Sequence, residues 1–284
     1  MPLTKKTAFV IAHFHQNGRV ALNTFALVEE MAKLSDSIVF ISTNLNALEA
    51  TRLKKNAEVI QRENIGYDFW SYKLGIEHLG DLSQFERVVV CNTSFIVLDP
   101  SFLVKSFTGP VDDIGLLGLS RNGDMGDHIQ SYWISFEGTQ LLNSPEFIGW
   151  WSSLMPLNDR TENINKYEVG LSSYFSKHGY PLRTLFQATP NQLLIMLARA
   201  ISVGLVIVRL ENKLDLQKQL QIVPLDLKYA LGLNPTVFGW DFLLDYLKIL
   251  KIEQIKFNYG HQFMDSKIST LSHEHVALIK DAIL

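Results

Sequence analysis

The apolar residues of the first hundred positions fall into short continuous runs divided by stretches of helical period. Residues 7–12 form one such run, the pattern of a strand buried on both faces. Between positions 20 and 34, Val20, Phe25, Leu27, Val28, Met31 and Leu34 recur at helical spacing, with Glu29, Glu30 and Lys33 on the other side. Residues 37–42 repeat the buried-strand pattern, a polar helical stretch covers 45–55, and residues 57–60 read as a third strand. A helix over 72–79 and a fourth strand over 87–91 follow. Strands alternating with helices at this interval predict a mainly parallel sheet with helices on both faces. Ligands of such sheets bind outside the carboxyl ends of the strands, which puts His13, the turn after the third strand and Asn92 on one rim.

That turn is the most chemically dense part of the rim. Arg62, Asn64, Gly66, Tyr67, Asp68, Ser71 and Lys73 fall within twelve residues between a strand and a helix. Free backbone N–H groups at a helix start can hold a phosphate-bearing ligand. The same residues also suit an ordinary turn, with Asn64 and Gly66 supplying backbone freedom. The pattern alone leaves both readings open.

The second half of the chain is patterned differently. Residues 114–119 read as a strand, 121–127 as a loop rich in Gly, Asn and Asp, and 128–136 as one alternating strand. A helix over 145–154 carries Trp150 and Trp151 as packing residues, and residues 163–178 hold the stretch Lys166 to Ser172 followed by a second helix that ends at Gly179. Glu168 falls near the head of that second helix, where the N-terminal dipole stabilises an anion; helix cap and general base are both open to it. Residues 193–210 are almost wholly apolar, but Arg199 lies near their middle and Gly204 divides them. A buried helix followed by a buried strand over 205–208 accounts for this better than a membrane span. Amphipathic helices are expected over 225–233, 238–250 and 271–284. Covering the core, contacting a partner subunit and resting on a membrane are the uses open to them.

Composition narrows the classes. With 47% apolar and 19% charged residues the chain is a folded globular protein, and a formal charge of −3 with scattered basic residues argues against a nucleic-acid partner. The single cysteine, Cys91, excludes an intrachain disulfide and a multi-cysteine zinc site, and reads as a small buried apolar residue. The apolar run before His13 is too short for a signal-peptide core, so a cytoplasmic location is expected. No G-x-G-x-x-G follows the first strand, and G-x-x-x-x-G-K-[ST], G-x-S-x-G and H-E-x-x-H are all missing. A dinucleotide oxidoreductase, a P-loop NTPase and a serine hydrolase are thereby disfavoured. His13 and His15 are a weak metal pair.

Four stretches together resemble the rhamnan synthesis protein F family of bacterial glycosyltransferases. They are Arg62-x-Asn64-x-Gly66-Tyr67-Asp68-Phe69-x-Ser71-x-Lys73, Cys91-Asn92-Thr93-Ser94, His128-x-Gln130-Ser131-Tyr132, and Tyr167-Glu168-Val169-Gly170-Leu171. Residues 204–209 and Asn234-Pro235 resemble later landmarks more weakly. The resemblance implies a GT-A-like (Rossmann-like) α/β fold, a mainly parallel central sheet flanked by helices, with a helical C-terminal extension. On that plan residues 1–186 are the glycosyltransferase domain, with a donor half over about 1–100 and an acceptor half over about 101–186. Residues 187–284 are the extension packed on the core.

The implied activity is transfer of rhamnose or a similar sugar from a nucleoside-diphosphate donor, dTDP-rhamnose-like, onto a glycan or lipid-linked glycan of a cell-surface polysaccharide. His13, Arg62, Asn64, Gly66, Tyr67, Asp68, Ser71, Lys73, Asn92, Thr93 and Ser94 would line the donor pocket, with Arg62 and Lys73 offsetting diphosphate charge. Asp127, His128, Gln130 and Ser131 would face the donor sugar or the acceptor, and Glu168 would be the general base of an inverting transfer. The family commonly reads Asn-Asp-Ser where this chain has Asn92-Thr93-Ser94. A hydroxyl is a poor Mg²⁺ or Mn²⁺ ligand, so three alternatives stand: catalysis without a metal, a metal held by Asp124, Asp127 or His128, or a binding subunit that kept the fold. Contact with the inner face of the membrane or with a second copy of the chain is left open.

Overall fold

The computed structural model describes residues 7–111, 113–123, 125–210, 232–257 and 261–284. Its strands are β1 (Thr7–His13), β2 (Ile38–Ser42), β3 (Glu58–Gln61), β4 (Arg87–Asn92), β5 (Phe95–Val97), β6 (Gly115–Gly118), β7 (Arg121–Asn122), β8 (His128–Ile129), β9 (Trp133–Glu137), β10 (Leu182–Thr184) and β11 (Ile249–Lys251). Seven of these form one sheet in the order β10-β6-β9-β4-β1-β2-β3. The pairs β1–β2, β1–β4, β2–β3 and β6–β10 are parallel, and only β9, between β4 and β6, runs the other way. This is the mostly parallel, helix-flanked α/β sheet expected.

The continuous apolar runs explain the sheet's centre. Every residue of β1, β2 and β4 is buried, and alternate side chains feed opposite layers. Phe9, Ile11, Val89 and Cys91 join Phe25, Val28 and Met31 on one face, while Ala8, Val10, Val88 and Val90 join Phe69, Tyr72 and Ile76 on the other. Cys91 is a buried core residue, as its neighbours indicated. The Tyr67–Leu79 helix lies very close to the sheet at Gly75: a Cβ there would stand 2.2 Å from Val10 Cγ1. A third layer joins Ile96 and Leu98 to Trp240, Leu244, Leu250, Met264 and Ile279 from late in the chain.

Four expected elements differ. The strand over 128–136 is broken into β8 and β9, because backbone groups between them are taken elsewhere: Gln130 N–H donates to Ser120 O and Ser131 N–H to a carboxylate oxygen of Glu168. The strand over 205–208 is helix, part of Pro190–Leu210; β-branched residues lower helix propensity only slightly, and Gly204 does not end it. The helix over 238–250 stops at Leu247, where Lys248 adopts left-handed backbone (φ 58), and the chain continues as β11, antiparallel to β5. Finally, the helix carrying Glu168 begins earlier than expected, at Arg160 capped by Asp159, and runs as a π-helical turn over Ile164–Val169 before Gly170–Lys177. Glu168 is therefore inside a helix, not at its head, and the dipole argument does not apply to it. Residues 225–231 of another expected helix lie outside the described residues. No helix among the described residues is long and apolar enough to cross a membrane.

Candidate active site

A cleft of about 440 Å³ opens at the carboxyl edge of the sheet. Its first wall is Tyr67, Asp68, Asn92 and Ser94; the facing wall brings His128, Gln130, Ser131, Tyr132, Asn163, Glu168, Asn234 and Lys251. Of the residues anticipated from sequence, Tyr67, Asp68, Asn92, Ser94, His128, Gln130, Ser131 and Glu168 meet here.

The turn that opens the first wall is held by Arg62. Its Nη1 donates to Glu63 O at 2.7 Å and Ile65 O at 2.5 Å, its Nη2 to Tyr67 O at 2.6 Å, and both Nε and Nη2 to Ser71 Oγ at 3.0 and 2.8 Å. Gly66 is left-handed (φ 71), and a Cβ there would meet Trp70 and Pro156. Tyr67 is left-handed as well (φ 51), an unusual conformation for a bulky side chain and one that concentrates at functional sites. Its ring stays exposed at the cleft while its hydroxyl donates to Asn158 O at 3.0 Å.

The motif's two cations, expected to offset diphosphate charge, are engaged within the fold. Arg62 bonds its own turn, and the buried Lys73 ammonium donates to Ser152 O and Leu154 O, both at 3.0 Å. Those carbonyls end the Pro145–Ser153 helix, where a cation is favoured. Neither side chain lines the cleft, nor do Asn64, Gly66, Ser71 and Thr93. Asn64 is exposed, Ser71 is buried under Arg62, and Thr93 uses its backbone N–H on Ala12 O. His13 is buried beneath the rim, with Nδ1 2.9 Å from Ser42 Oγ and Nε2 3.0 Å from Arg19 O. Burial pushes its pKa down to about 4, so it is a neutral structural residue. Asp127 lies outside the cleft, ion-paired with Arg121, and Asp124 is outside the described residues.

A continuous hydrogen-bonded chain crosses the floor. The Lys251 ammonium donates to Ser94 Oγ, Ser94 Oγ donates to Asn92 Oδ1 at 2.6 Å, and Asn92 Nδ2 donates to Asp68 Oδ2 at 2.8 Å. Burial raises the Asp68 carboxyl above the ordinary range, with the Asn92 bond and the Lys251 charge pulling the other way. Burial also lowers the Lys251 ammonium, opposed by Glu253, Glu168 and Asp68. Lys251 further lies 4.7 Å from the centre of the Tyr132 ring.

On the facing wall, Glu168 Oε1 accepts the Ser131 N–H at 2.8 Å, and His128 Nε2 is 3.9 Å away. His128 is otherwise fixed by an Nδ1 contact to Gly126 O. Gln130 accepts from Ser120 Oγ at 2.7 Å and donates to Asn234 Oδ1 at 3.2 Å, tying the late chain to this wall. Asn163 Nδ2 reaches Gly66 O at 3.4 Å and links the walls. The π turn beneath Glu168 is a rare form that recurs at functional sites.

Among the described residues the donors at the cleft do not make a set for a divalent cation: no three His, Cys, Asp or Glu side chains converge as ligands. Arg121 holds both oxygens of Asp127, and the position next to Asn92 and Ser94 is filled by an ammonium that repels a metal.

Sequence reasoning missed Lys251 altogether, along with Asn163, Arg160 and Glu253. No local motif surrounds Lys251, whose place depends on β11 pairing with β5. Asn234 carried a trace, through the Asn234-Pro235 pair.

Fold and cleft together define an α/β protein with a mostly parallel sheet and a polar, carboxylate-bearing site at its carboxyl edge. The family model for rhamnan synthesis protein F matches residues 38–211, more than half of the chain, and the chain belongs to that family. A protein of Sinorhizobium fredii (strain NBRC 101917 / NGR234), described as uncharacterized protein y4gN, is 26% identical over 170 residues, covering 57% of this chain and 44% of its own length. The chain thus spans less than half of that relative. Among solved structures, the glycosyltransferase GlyE of Streptococcus pneumoniae TIGR4 is similar with a TM-score of 0.43 and 11% identity over 98% of this chain and 61% of that one. A cytidylyltransferase from Leptospira borgpetersenii gives a TM-score of 0.36 and 14% identity over 64% and 76%.

Proposed function

We propose that this chain is a glycosyltransferase that moves a sugar from a nucleoside-diphosphate donor to a hydroxyl of a glycan acceptor with inversion. The observation that carries the reading is Glu168, a carboxylate on a π turn, oriented by the Ser131 N–H and facing Asp68 and Asn92 across one cleft. The acceptor oxygen attacks the anomeric carbon from the face opposite the diphosphate. Glu168 takes the hydroxyl proton as that bond forms. On the first wall, the exposed Tyr67 ring offers a stacking face for the base, and Asp68 and Asn92 offer hydrogen bonds to ribose or sugar hydroxyls.

The family supports the finer reading that the donor is dTDP-rhamnose or a close relative and the acceptor a surface polysaccharide, free or lipid-linked, met at the inner face of the membrane. Thr93 in place of the family aspartate favours a second reading, a subunit that binds sugar nucleotide or glycan without turning it over.

A thermal-shift panel of nucleotide sugars, followed by donor turnover with the stabilising compound, decides between them. Stabilisation and turnover by the wild type, with Glu168→Gln binding the donor but not turning it over, are the expected results. Donor binding without turnover in the wild type establishes the binding subunit.

A further inference from the structure

The cleft holds a cation that the motif did not announce. Lys251 reaches it from β11 and donates to Ser94 Oγ, just past the end of β4. The other charges sort themselves around it. Glu253 is 3.1 Å from Arg160 at the exposed mouth, and Asp68 Oδ2 accepts from Asn92 Nδ2 at 2.8 Å. Glu168 is engaged by the Ser131 N–H on the facing wall. That leaves the Lys251 ammonium as the interior positive charge beside Asn92 and Ser94, with two of its three N–H donors beyond the bond to Ser94.

We propose that Lys251 is the cation that meets the donor diphosphate in this chain, in place of a divalent metal. The inference rests on the glycosyltransferase reading above and assigns the residue that stabilises its leaving group. In the transfer, the bond from the anomeric carbon to the β-phosphate oxygen breaks and its electron pair stays on that oxygen. The new bond to the acceptor oxygen forms on the other face, and the acceptor proton goes to Glu168. Charge therefore grows on the diphosphate as the bond breaks, and a fixed ammonium in a low-dielectric cleft stabilises it more than the ground state. Ser94, held by Asn92 Oδ1, keeps the ammonium in place. The Tyr132 ring, 4.7 Å away, supports the charge from the other side.

The test uses inorganic pyrophosphate as a base-independent probe, titrated calorimetrically in EDTA into wild type, Lys251→Met and Lys251→Arg, with thermal unfolding as the folding control. Wild type is expected to bind in EDTA, Lys251→Met to bind roughly 10- to 100-fold more weakly, and Lys251→Arg to recover most of the loss. Equal binding by Lys251→Met overturns the proposal. So does wild-type binding that needs added Mn²⁺ or Mg²⁺, or no wild-type binding under either condition; these arms require no variant and hold even if Lys251→Met fails to fold. Failure of the underlying reading looks different. Lys251-dependent pyrophosphate binding without turnover of any nucleotide sugar sinks the transferase but leaves the anion site. Sugar transfer that EDTA abolishes and Lys251→Met does not alter sinks the anion site but leaves the transferase.

Discussion

The two walls of the cleft are built in opposite ways. The first comes from residues close in sequence: Arg62 closes on three carbonyls and a hydroxyl within nine positions of itself, and Asp68 opens the helix that follows. The second is gathered from afar, with His128 on a two-residue strand, Glu168 on a π turn, Asn234 before a short helix and Lys251 on a three-residue strand. The motif that is densest in sequence is dense largely because its turn needs those side chains to hold itself together. The groups left facing open space come mostly from irregular, long-range structure. Regular elements satisfy their backbone groups internally, whereas a two-residue strand or a π turn frees individual groups to point into a site.

The widest separation between the walls is expected for Glu168→Gln. Turnover should fall by about 10²–10⁴-fold with donor affinity little changed, as read from kcat and a binding titration. A parallel loss of affinity would move Glu168 from proton transfer to donor binding. Arg62→Ala should do the reverse. Removing a charged donor shared among carbonyls costs about 2 kcal/mol of stability in urea denaturation, while turnover per folded molecule stays near wild type. A large drop in donor affinity at unchanged stability would return Arg62 to the ligand.

A smaller effect separates the rim's buried floor from both walls. The folded-state pKa of His13, about 4, lies below the ordinary value of 6.5. Above pH 6.5 both folded and unfolded states carry it neutral, so it contributes no pH dependence. As pH falls from 6.5 towards 4 the unfolded state takes up the proton first, and stability declines by about 1 kcal/mol per pH unit before levelling off. Urea midpoints between pH 7 and 4 should fall more steeply in wild type than in His13→Gln, the difference being this contribution. Equal slopes in the two would mean that His13 titrates normally in the fold.

The contrast also explains what could be read in advance. Strands β1, β2 and β4 were legible because a strand buried on both faces must be apolar throughout, and their carboxyl ends located the rim. Tyr67, Asp68 and Asn92 followed from that placement, and Ser94 from the family resemblance. The bonding of Arg62 and Lys73 was not legible for a physical reason: a guanidinium or ammonium looks the same in sequence whether it binds a ligand's phosphate or carbonyls of its own chain. Glu168 was identified through the family motif, but its setting was not, since nothing in residues 163–169 distinguishes a π turn from an α turn. Lys251 was illegible because its position is set by partners about 150 residues earlier, through a pairing that no local pattern encodes.

That pairing has a consequence in time. Strand β5 carries Phe95, Ile96 and Val97, all buried in the finished protein, and β11 pairs with it. A ribosome adding about 5–20 residues per second needs roughly eight to thirty seconds to reach β11 after β5 has been made. Through that interval the nascent chain holds an apolar strand without its β11 partner, a template for pairing with the wrong neighbour. The arrival of β11 ends that exposure and delivers Lys251 in the same event, so the chain covers this edge at the moment its cleft acquires the ammonium.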